Sequence, residues 1–72
     1  MSGHLEKRSL SLAGHRTSVA LEPEFWRALE EEAARQGRSL AALVREVDAA
    51  RSDPSVPLAS ALRLRALAAR RG

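Results

Sequence analysis

Few side chains in this 72-residue chain have the chemistry for catalysis. It has no cysteine, so it holds no thiol nucleophile, no thiolate zinc site and no disulfide framework. Its two histidines are His4, in a polar N-terminal tail, and His15. Neither has a second ligand at metal-binding spacing, and no GxSxG, phosphate-loop or HExxH pattern occurs. The run Glu30-Glu31-Glu32 reads as a solvated helix face, because paired acids need a pocket to tune them and a chain this short has little room for one. The expectation is a protein that is not an enzyme and needs no cofactor or metal.

The remaining polar chemistry is charge. The net charge is +3, and it is unevenly spread. Residues 1–21 carry Lys7, Arg8 and Arg16 against Glu6, for +2. Residues 22–51 carry five arginines against seven acids, for −2, and residues 52–72 carry four arginines against Asp53, for +3. Basic ends around an acidic middle are where a polyanion would be met. The N-terminus lacks the apolar segment of a signal peptide, and no apolar run approaches the roughly 18 residues of a membrane span. A soluble cytoplasmic protein is expected.

Five segments position these groups. Ser9 to Leu12 and Arg16 to Leu21 both alternate at the strand period of two. Their apolar parity differs: Leu10 and Leu12 are even, Val19 and Leu21 odd. One flat strand cannot bury both sets, so a bulge, a kink or a turn belongs at Ala13-Gly14. A two-residue turn there would make a self-paired ribbon, although such turns favour Asn-Gly or Asp-Gly. Glu22-Pro23 opens a helix with Phe25, Trp26, Leu29 and Ala33 on one face, and Gly37 stops it. Ser39 caps a second helix with the stripe Leu40, Leu43, Val44 and Val47. Two prolines break the chain over residues 52–57, and Leu58 to Arg71 forms a third helix with a broad apolar face. The domain expectation is a tail at 1–7, a core domain at 8–51, a linker at 52–57 and a C-terminal helix at 58–72.

A chain of this size buries little surface, and a lone strand edge must pair with something. Pairing it with the same strand of a second copy gives an antiparallel ribbon with both copies' helices beneath. Such a two-stranded ribbon fits the DNA major groove.

The stretch Arg16-Thr17-Ser18-Val19-Ala20-Leu21-Glu22-Pro23-Glu24-Phe25-Trp26, followed by Gly37-Arg38-Ser39-Leu40-Ala41-Ala42-Leu43-Val44, resembles the Arc-type ribbon-helix-helix superfamily. Gly14 to Ser18 together with Leu58 to Arg63 is similar to a compact bacterial branch with a third helix. The resemblance implies a mainly α fold with one short β-strand: an intertwined homodimer with an intersubunit antiparallel ribbon, plus the third helix. It implies a bacterial repressor-like regulator of transcription whose partner is double-stranded DNA. With Thr17, Val19 and Leu21 facing inward, Arg16, Ser18 and Ala20 become the base-contacting residues. Arg16 suits a guanine edge, and Ser18 most bases, while Ala20 offers only a methyl, a departure from the family's usual polar triad. Arg38, Ser39 and Leu40, at the start of the second helix, become the phosphate contacts. Val19, Leu21, Trp26, Leu29, Leu43, Val44 and Val47 become the dimer core. The alternative is an interaction module or antitoxin-like protein that binds a protein partner through residues 58–71; a membrane role is not expected.

Overall fold

A computed structural model describes residues 4–71. In chain order the elements are β1 (Glu6–Leu12), β2 (His15–Leu21), α1 (Pro23–Arg35), α2 (Leu40–Ala50) and α3 (Leu58–Arg71). Two strands therefore stand where one short strand was expected, and they pair with each other as an antiparallel hairpin. Ala13 and Gly14 make this possible. Both adopt positive φ, 49° and 87°, the pair of left-handed residues that a tight hairpin turn needs to match the twist of its strands.

The register resolves the change of parity. Leu12 faces His15, Leu10 faces Thr17, Arg8 faces Val19 and Glu6 faces Leu21, so an even residue always opposes an odd one. Leu10 and Leu12 thus share the inner face with Val19 and Leu21, and both apolar sets are buried at once. Within the chain, β2 finds its partner strand in β1.

The turn carries a cost that a substitution should relieve. A left-handed alanine is disfavoured by roughly 1–2 kcal/mol, whereas Asn visits that region readily. We expect Ala13→Asn to stabilise the protein by about 1 kcal/mol, raising the thermal midpoint by roughly 4–8 °C. An unchanged midpoint would remove the hairpin turn from this account.

Beneath the ribbon, α1 starts at Pro23 and ends at Arg35, closed off by Gly37, whose φ of 67° lets its own N–H reach the Ala34 carbonyl (3.1 Å) and that of Arg38 reach Ala33 (3.0 Å). Ser39 follows at once, its Oγ accepting from the Ala42 N–H at 3.1 Å, so α1 and α2 are joined by a very short turn. Trp26, Ala28, Leu29 and Ala33 from α1 meet Leu43, Val44 and Val47 from α2 and the inner face of the hairpin.

The third helix completes this core. Leu62 and Ala66 are fully buried, and Leu58, Ala59 and Ala61 pack against the same cluster. β1 begins at Glu6, inside the stretch expected as a tail, because the Glu6 carbonyl accepts the Trp26 Nε1–H bond at 2.8 Å. α3 supplies core residues from beyond the proline-containing segment.

Candidate nucleic-acid interface

The hairpin's outer face is built from both strands. Lys7 lies across from Ala20, Ser9 from Ser18 and Ser11 from Arg16. All but Ala20, which is half-buried, are exposed. The face carries two cations, three serines and no acid. Arg16 Nη2 donates to Ser9 Oγ at 3.2 Å, which aims the guanidinium across the ribbon rather than along its edge. The three candidate base contacts, Arg16, Ser18 and Ala20, thus share one surface, and β1 adds Lys7, Ser9 and Ser11 to it. Those three were missed when the chain was read as a single strand, for then only β2 had a defined outer face. The signal that could have found them was the parity change across Ala13-Gly14, which a two-residue turn explains as well as a bulge does.

On the opposite face a cluster of charges fixes the ribbon to α1. Arg8 Nε donates to Glu6 (2.7 Å), Arg8 Nη1 donates to Glu30 (2.6 Å), and the guanidinium lies 4.8 Å from the centre of the Trp26 ring. Glu30, chiefly through its hydrogen bond, raises the Arg8 pKa above its ordinary value. The run Glu30-Glu31-Glu32 is therefore not one solvated face. Glu30, though exposed, receives Arg8 of β1 and Glu32 receives Arg65 of α3 at 2.9 Å, while Glu31 is on the surface.

The candidate phosphate contacts lie at the junction of α1 and α2. Ser39 satisfies the Ala42 amide, and among the described residues nothing accepts from the amides of Leu40 or Ala41. These amides sit at the positive end of α2. The Leu40 side chain packs on the core, so only its backbone faces outward chemistry. Arg38, beside them, is ion-paired with Glu46, and this hydrogen bond holds the Glu46 carboxylate below its usual pKa.

The seven residues expected as a dimer core all lie in the interior of the single chain, five of them with no exposed surface. The arginines of α3 are also largely committed. Arg63 pairs with Glu22 at 3.0 Å, lowering that carboxylate's pKa, and Arg65 pairs with Glu32. Arg70 remains exposed. His15 is exposed at the turn across from Leu12. Among the described residues no group of three or more His, Asp or Glu is placed to hold a metal, and no helix is long and apolar enough to cross a membrane.

No curated protein and no solved structure matches the sequence. The family model of the ribbon-helix-helix domain matches residues 5–69, which includes the hairpin and most of α3 as well as the two central helices. The chain belongs to the ribbon-helix-helix domain family.

Proposed function

We propose that this protein binds double-stranded DNA as a homodimeric regulator of transcription, each copy inserting the outer face of its own hairpin into a major groove. The observation that carries the reading is the composition of that face: Lys7, Arg16 and three serines with no carboxylate. A two-stranded ribbon, with strands about 4.8 Å apart, fits a groove about 12 Å wide, whereas a wider sheet would not enter it. Arg16 reads a guanine edge through two hydrogen bonds, Ser18 contacts either partner of a base pair, and Ala20 offers a methyl to thymine. The Leu40 and Ala41 amides, with Arg38 and Ser39 beside them, take a phosphate and fix the register of the ribbon without reading sequence. The homodimer is supported by family membership, and by the two strand edges that a two-stranded sheet leaves open to pairing.

Arg16→Ala is the direct test. It should cost about 1–3 kcal/mol of DNA binding, roughly 5- to 150-fold in affinity, and relax preference at one base position. Lys7→Ala should instead weaken all duplexes alike and make the salt dependence shallower by about one unit. Titrating selected and mixed duplexes across salt separates the two.

A second reading is favoured by one observation on α3. Leu64 and Leu67 are 66% and 49% exposed and lie one turn apart, a surface suited to a protein partner in an antitoxin-like protein. DNA affinity that is absent at low salt, or indifferent to Arg16→Ala, would favour this reading over the first.

A further inference from the structure

Glu46 links two arginines from different elements. One carboxylate oxygen accepts from Arg38 Nη2, and the other lies 3.6 Å from Arg65 Nη1 on α3. Arg65 in turn donates through Nε and Nη2 to Glu32 of α1 at 2.9–3.2 Å. The four groups form a chain, Arg38–Glu46–Arg65–Glu32, of zero net charge, whose exposure is graded. The Glu32 side chain is 12% exposed at one end, while Glu46 is 47% exposed near the other. The Arg38–Glu46 pair is therefore the link that water and solute anions can reach, and exposed pairs of this kind are held by little net free energy.

Arg38 immediately precedes the cap of α2, beside the unpartnered amides of Leu40 and Ala41. We propose that Glu46 is a built-in competitor for DNA phosphate: it occupies Arg38 in the free protein and sets the DNA affinity below what the interface would otherwise reach. A phosphate that takes Arg38 displaces Glu46, and the carboxylate is not orphaned, because Arg65 remains within reach on its other side. The exchange costs little, so the brake weakens binding without blocking it. This inference rests on the DNA-binding reading above and adds to it the residue that tunes it.

Glu46→Gln keeps the shape of the side chain and removes its charge. It should tighten binding to a short mixed-sequence duplex about 3- to 10-fold at low salt, with the slope of the log–log salt dependence kept, because Arg38 meets the same phosphate in both proteins. The gain should vanish when Arg38→Ala is combined with it. Thermal unfolding of each variant shows whether the fold is kept, as expected from the part-buried Arg65–Glu32 pair, which neither substitution touches. Tightening that survives Arg38→Ala would overturn the proposal in favour of a general charge effect. Wild-type protein that binds no duplex at any salt would overturn the reading beneath it instead, which keeps the two failures apart.

Discussion

Trp26→Ala is expected to cost about 3–5 kcal/mol of stability, the range for truncating a large buried aromatic. For a 72-residue domain, whose whole stability should lie near 4–11 kcal/mol, that is a large fraction. The side chain is fully buried and does two things that a smaller apolar residue cannot. Its Nε1–H donates to the Glu6 carbonyl at 2.8 Å, and its ring face carries Arg8, which in turn holds Glu6 and Glu30. The indole is thus the post to which β1 is tied. Removing it should loosen the start of β1 before the rest of the sheet. Trp26→Phe, which keeps a ring for Arg8 to cover but loses the donor, should cost markedly less than the alanine variant. Urea unfolding of the three proteins, read together with amide exchange at residues 6–10, tests both parts. An alanine variant as stable as the wild type, or one whose β1 amides stay protected, would show that the hairpin stands without this anchor.

The helices were legible because their limits are written in local chemistry. Pro23, Gly37 and Ser39 each act on the backbone of their immediate neighbours, and the apolar spacing of Trp26, Leu29 and Ala33 needs no tertiary context. The hairpin was only half legible. The parity change between Leu12 and Val19 marked a discontinuity, but an alanine at a left-handed position is a weak turn signal, so the choice between bulge and turn stayed open. That choice decides everything at the interface. With a turn, Lys7, Ser9 and Ser11 join Arg16 and Ser18 on one surface; with a bulge, they have no assigned place. The pairing of Glu30 with Arg8 and of Glu32 with Arg65 was beyond reach, since partners 22 and 33 residues apart have no spacing rule. For the same reason the apolar face of α3 could be seen, while its division into buried Leu62 and exposed Leu64 could not.

Deleting residues 58–72 is the change expected to have the largest effect, namely loss of the folded monomer. Burying one leucine completely stabilises a fold by roughly 1.5–3 kcal/mol, and α3 contributes Leu62 in full, Ala66 in full and Leu58 in part. It also brings Arg63 to Glu22 and Arg65 to Glu32, the latter a mostly buried carboxylate that the deletion would leave without its nearest cation. The truncated chain regains the conformational entropy of the helix, which offsets part of this loss, but what remains is a hairpin and two short helices below the size at which a core usually closes on itself. Circular dichroism of residues 1–57 should therefore show little cooperative melting, and Leu62→Ala in the full chain should cost about 2–5 kcal/mol as the milder form of the same defect. Molecular mass distinguishes the one informative exception. If residues 1–57 fold as a stable dimer, a second copy can cover the face that α3 covers here, and the third helix would then be a substitute for a partner subunit rather than an indispensable part of the core.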